Sequence, residues 1–309
     1  MADLDTFLTP LYVNVDDYCK TLPAPVAPRP GPAPSLSPSE VVTLALYARW
    51  GRWDGQRDFY RYAGRHLRAA FPRLPHRTQF NRLLRRHTAL IAALALHFAD
   101  LLAQPTDSYQ ILDTTAVPVR NAKRRGRSWF VGLADIGYSP RLGWYYGFHL
   151  LTAVSPAGAI TGWGFGAASA KDQPLAEAFL ALRLQPQGGY ATVGRYSSQP
   201  YLADGGFAGV ERHARWGAEY GAQVLSPPNS NSKVAYPREW RHWLTRLRQM
   251  VETGNDKLHN RFHLQSARPH TWQGLHAGIA ATVGLHNFCI WLNRQLGRAD
   301  LAFAELLDW

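Results

Sequence analysis

The sequence predicts an α/β protein, a mixed sheet flanked by helices and preceded by an all-α module. Three observations predict it. Up to about residue 104 the apolar residues recur at helical spacing between Pro and Gly stops. From about residue 108 the pattern changes to short apolar runs broken by glycines. Two of those runs deliver an aspartate: Tyr109-Gln110-Ile111-Leu112-Asp113, and Tyr201-Leu202-Ala203-Asp204 before Gly205-Gly206. The 309 residues suit two domains, 1–104 and 105–309.

In the first domain, residues 3–21 read as a short helix presenting Phe7, Leu11 and Tyr18. Residues 23–34 alternate with proline and read as a stiff, extended connector. Ser37 or Ser39 caps the next helix, Pro38 suits its first turn, and Val41 to Tyr47 supply its apolar residues. A helix over 57–70 stops at Pro72 and Pro75, and another runs from about Thr78 towards Leu102. In the second domain, strands are expected at 109–119, 129–136 and 144–154, with a glycine-broken edge segment after Gly158. Then come a helix at 175–184, a strand at 201–204, a helix at 208–220, a strand at 223–226, a helix from Arg238 past Met250 and a final helix over 272–296. The order β-β-β-α-β-α-β-α is the ribonuclease H-like arrangement of a mixed sheet with helices on both faces.

Against 22 Asp and Glu stand 34 Lys and Arg, a formal charge of +12 in which arginine dominates. Guanidinium forks match phosphate, so the excess points to a nucleic-acid partner. It is concentrated between residues 49 and 87, where eleven arginines face only Asp54 and Asp58. Helices with short turns there suit a helix-turn-helix-like module. Thr78 to Arg86 is its candidate recognition helix, with Arg77, Gln79, Asn81, Arg82, Arg85 and Arg86 as DNA contacts. Lys123, Arg124 and Arg125 form a second basic cluster in a loop, placed either on DNA or on a solvated hairpin. Trp129, Trp144, Tyr145 and Tyr146 read mainly as core.

Asp113 is continued by Thr114-Thr115-Ala116-Val117, and an aspartate inside a strand is costly to bury unless it is paired or liganded. On the helix from Arg238, Trp240, Leu244, Leu247 and Val251 form the core stripe, leaving Glu252 at its edge with Arg248 one turn before it. Asp113, Asp204 and Glu252 together offer hard oxygen ligands for two Mg²⁺ or Mn²⁺ ions, the requirement of in-line displacement at a phosphodiester. Asp135 and Asp172 are the competing acids. Lys257 and His259 after the glutamate are basic neighbours able to neutralise phosphates.

Cys19 and Cys289 have no metal or disulfide spacing, and the acidic amino terminus lacks a signal-peptide pattern. No apolar run approaches a membrane span, so a cytoplasmic, nucleoid-associated protein is expected.

Four segments carry a family resemblance. They are Leu36 to Val42 followed by Phe59 to Tyr62 and Phe71 to Arg82; Leu112-Asp113-Thr114 with Pro118-Val119; Gly137-Tyr138-Ser139 leading into Tyr145 to Leu150; and Asp204-Gly205-Gly206-Phe207 through Val251-Glu252. In their order they resemble the DDE-type bacterial transposases of the insertion sequence 982 family. The resemblance implies cleavage at transposon ends and transfer of 3′-hydroxyl strands to target DNA, with terminal inverted repeats as substrate and a homodimer to pair two ends. It implies Asp113, Asp204 and Glu252 as the catalytic, metal-holding acids. His149 stands where such proteins commonly have lysine, Thr245 where a tyrosine is usual and His259 where a lysine is usual, while Arg248 matches. A ribonuclease H-like nuclease that does not join, or a non-catalytic DNA-binding descendant, shares these acids.

Overall fold

The computed structural model describes residues 3–23, 33–51, 53, 55–121, 129–184, 191–195, 197–228, 236–264 and 269–307. The loop cations Lys123, Arg124 and Arg125, and connector residues 24–32, lie outside the described residues. The chain divides into two compact units, residues 1–95 with 261–309, and residues 96–260.

The first unit is helical. Helix α1 (Leu4–Thr21) is capped by Asp3, whose carboxylate accepts from Thr6 N at 2.7 Å, and buries Phe7, Leu8, Leu11 and Val15. Helix α2 (Pro38–Tyr47) begins with a reciprocal capping box: Glu40 N donates to Ser37 Oγ at 3.1 Å and Ser37 N to Glu40 Oε2 at 2.7 Å. Its residues from Val41 to Tyr47 are all buried. Helix α3 (Gln56–His66) buries Phe59 and Ala63. The single helix expected from Thr78 to Leu102 is two, α4 (Arg77–Arg86) and α5 (Thr88–Leu102), parted at His87. Helix α4 buries Phe80 and Leu83 and exposes Gln79, Arg82, Arg85 and Arg86, with Arg77 and Asn81 half-buried. Residues 67–76 separate α3 from α4, a longer link than the about three or four residues of a compact helix-turn-helix.

The centre of this unit is α9 (Trp272–Gln295), expected with the sheet but packed against α2 and α4. Phe288 meets Phe7 edge-on at 5.6 Å, and Asn287 Nδ2 donates to Ala95 O at 3.0 Å. Contrary to the expectation from the sequence, α9 is long and apolar enough to cross a membrane, but 89% of its apolar window is buried within the protein. It is a core helix.

The second unit is a mixed sheet with helices. Strand β1 (Gln110–Asn121) pairs antiparallel with β3 (Gly143–Val154) and parallel with β5 (Tyr201–Leu202), which pairs parallel with β6 (Val224–Leu225). Strands β2 (Asp135–Ser139) and β4 (Ile160–Ala167) pair antiparallel with successive stretches of β3. The strand expected over 129–136 starts only at Asp135, because Phe130 (φ 53°) and Gly132 (φ 76°) turn the chain in the left-handed region. Helices α6 (Asp172–Leu184), α7 (Val210–Tyr220) and α8 (Arg238–Asp256) complete the unit. Leu112, Leu151, Phe179, Tyr201, Phe207 and Trp216 belong to its core.

Candidate active site

Strand register brings the two aspartates side by side. Ile111 on β1 faces Leu202 on β5 in a parallel pair. Asp113 lies two residues after the first and Asp204 two residues after the second. With side chains alternating at a period of two and strands about 4.8 Å apart, both carboxylates leave the same face at neighbouring positions. They stand at the carboxyl-terminal end of the β1–β5 pair, where open sheets bind ligands.

A buried arginine fixes that register. Arg183 on α6 is 3% exposed and donates to Gln110 Oε1 at 2.7 Å, Tyr201 OH at 3.0 Å and Thr161 O at 2.9 Å. Gln110 and Tyr201 are themselves register partners on β1 and β5. One planar guanidinium thus pins both strands just ahead of the acids.

Asp204 caps the short turn Gly205–Phe207, accepting from Gly206 N at 2.8 Å. A Cβ on Gly206 would lie 2.5 Å from Asp172 Oδ2 and 2.9 Å from Asp204 Oδ1, so only glycine lets those carboxylates approach. Asp172, at the start of α6, accepts from Thr114 Oγ1 at 2.7 Å.

Helix α8 closes the other side. Arg248 Nη2 lies 4.0 Å from Asp113 Oδ1 and 3.9 Å from Asp204 Oδ2, a cation shared by the two acids. Asn255 Nδ2 donates to Asp113 Oδ2 at 2.7 Å. Positions 248 and 255 are seven apart, hence on one side of the helix, with Leu244 and Val251 buried beside them. Burial drives the Asp113 carboxyl up to about 7; Asp204 and Asp172 push the same way, while Arg248 opposes.

Glu252 is exposed, between Arg248 and Asn255 along the helix and towards its solvent side. Among the described residues no group of three or more His, Cys, Asp or Glu side chains is gathered so as to hold a metal ion. The structure brings Asp113, Asp204 and Arg248 together and leaves Glu252 outside that contact. Two participants do not stand out in the sequence. Asn255 is marked there only by its seven-residue spacing from Arg248, and Asp172 offers itself only as a competing acid.

His259, expected as a phosphate contact, is 6% exposed, and its Nε2 lies 2.6 Å from Thr115 Oγ1. Burial first, then the charge of Arg141, lowers it to about 4, so the ring is neutral at physiological pH and faces inward. Lys257 starts the π-type turn (Lys257–Arg261) that ends α8, half-buried. His149 on β3 donates through Nδ1 to Ala170 O at 3.1 Å. It lines an open cleft of ≈ 560 Å³ that reaches Asp172 and Gly206. Trp144, expected in the core, is 69% exposed at that cleft and packs edge-on against Tyr138 at 5.5 Å. Tyr145 is buried as expected.

Two aspartates just past the β1–β5 pairing, sharing Arg248 and with an amide holding one of them, can bind a hard cation or a phosphate–cation pair. A family model described as Transposase DDE domain matches residues 104–288, a span containing Asp113, Asp204 and Glu252. No curated protein and no solved structure matches the chain.

Proposed function

The chain belongs to the transposase DDE domain family, and from that premise we propose a DNA transposase of the insertion sequence 982 type. It cleaves element ends and transfers the freed 3′-hydroxyl strands to target DNA. The observation that carries this reading is the pairing of Asp113 with Asp204 through Arg248 at the ends of parallel strands. The strand order β2-β3-β1-β5-β6, with β4 also paired to β3, antiparallel up to β1 and parallel after it, supports the ribonuclease H-like assignment.

Domains of this family use divalent metal ions. The residues present fit such a group: hard carboxylate oxygens gathered around one positive charge, the place of which a cation can take. Asp113 and Asp204, with Glu252 as the third acid, would hold it, as two Mg²⁺ or Mn²⁺ ions. When bound, these ions supply Lewis-acid activation of the attacking oxygen and charge neutralisation at the phosphate. Asn255 fixes the rotamer of Asp113. Arg248, now shared by the two acids, would be placed to pair with a phosphate oxygen of the bound strand. Asp113 would hold a cation as the ionised carboxylate, so metal affinity is expected to rise as pH passes through about 7.

The exposed arginines of α4, with Gln79 and Asn81, support a role for the helical residues 1–104 in recognising terminal inverted repeats. Two ends are paired by a homodimer, acting on the cytoplasmic nucleoid.

Labelled duplexes carrying the element's ends, incubated with Mg²⁺ or Mn²⁺ and target DNA, test this. Nicked and joined products that vanish in Asp113→Asn are expected. Cleavage without joining identifies a nuclease instead, and binding without either product a regulator.

A further inference from the structure

We propose that the exposed first half of α8 is a track for the DNA strand entering the acidic site, with Arg238 and Arg241 each taking one of its phosphates. The inference rests on the transposase reading and adds a surface to it. From Arg238 to Arg246 only Leu244 is buried and only Trp240 half-buried. A helix that meets solvent on nearly every side for two turns gains little from the core, and its composition fits another partner. Arg238, Arg241, Arg246 and Arg248 face a single acid, Glu239, within the first three turns. Among the described residues Arg238 and Arg241 form no ion pair; Arg238 Nε donates to His242 Nε2 at 3.2 Å.

Helix geometry gives this charge a direction. Positions 241, 245 and 248 follow the i, i+4, i+7 spacing of one helix edge, and Arg248 at its lower end touches both aspartates. Arg241 therefore stands on the same edge about 10 Å further out, at about 1.5 Å per residue, with Arg238 one turn beyond. A strand whose reacting phosphodiester sits at Asp113 and Asp204 continues along this edge. Planar surface lies beside it: Tyr236 stacks on Trp240, the residue before Arg241, at 4.5 Å and 20°. Guanidinium groups interleaved with aromatic faces are the recognition chemistry of a nucleic-acid strand. Arg246 lies about 140° around the helix from Arg241 and does not belong to the track.

The test is a fluorescence-anisotropy titration of the full chain with a labelled element-end duplex over a salt series. For Arg238→Gln/Arg241→Gln, the slope of log K against log[salt] falls by about 2, at roughly 0.9 for each phosphate that is no longer neutralised. Arg246→Gln leaves the slope within about 0.3 of wild type. All these positions are exposed, so unchanged melting temperatures accompany both results. A fall of about 0.9 for Arg246→Gln, one charge's share of the double variant's loss, reduces the effect to net charge and overturns the track. So does an unchanged slope in the double variant while wild type cleaves the duplex. A wild-type protein that neither binds nor cleaves element ends overturns the transposase reading itself, and the track with it.

Discussion

Asp113 lies on β1 and Asp204 two residues past the end of β5, a parallel pair pinned by a buried guanidinium, whereas Glu252 stands on a helix whose first turns meet solvent. The sheet side of the site is therefore set by hydrogen-bond register, a discrete quantity that cannot drift. The helix side is set by two side chains, Arg248 and Asn255, reaching across to Asp113. A strand-borne acid is positioned by the backbone, while a helix-borne acid is positioned only by what its neighbours touch.

Substitutions separate the two sides, beginning with chemistry. Asp113→Asn and Asp204→Asn each lower element-end cleavage by about 10³-fold or more, the scale of losing a preorganised charge at a reacting centre. Glu252→Gln matches them if the helix acid is equally a ligand. A loss below about tenfold in single-turnover assays restricts the essential pair to the sheet.

Arg183→Met, which removes the clamp but keeps bulk, leaves Gln110, Tyr201 and Thr161 without their donor. Denaturant unfolding is expected to show a loss of about 3 kcal/mol, as for other broken buried charge networks. An unaltered midpoint would mean that core packing alone sets the register.

His259 tests the far end of α8. Its folded value of about 4 lies below the ordinary 6.5, so the unfolded chain binds the extra proton between those limits. Its contribution is full above pH 6.5 and is lost as pH falls through about 4, at most about 3 kcal/mol. Thermal melts at pH 7.5 and 4.5 should therefore diverge less in His259→Gln than in wild type. The smallest effect belongs to Arg141, whose Nη1 lies 3.7 Å from Asp256 with both side chains exposed. Arg141→Ala changes stability by less than about 1 kcal/mol in the same melts.

The two strand acids are legible in the sequence because strand periodicity and a glycine turn are local signals. The capping box at Ser37 and Glu40 is equally local, and Ser37 takes the expected cap. What escapes the sequence depends on partners distant along the chain. Leu275, Ile279 and Val283 announce a buried helix but not which residues bury it, so the pattern groups α9 with the sheet rather than with α2 and α4. His259 reads as a cation because its sequence neighbours are basic, yet Thr115, 144 positions earlier, fixes it as a neutral core group. Trp144 reads as core by residue type, while its place in the β2–β3 pair opposite Tyr138 turns it outward. Asn255 carries no charge, and only its helical phase marks it.

The helical unit is assembled from residues 1–95 and 261–309. On a ribosome adding about 5–20 residues per second, α1 to α4 emerge on the order of ten seconds before the segment that fills their centre. Throughout that interval Phe7 has no Phe288 to meet and α2 has no α9 to cover its apolar side. The nascent chain thus passes through a sticky, half-built stage that invites chaperone capture, and the helical unit cannot close its core until α9 arrives.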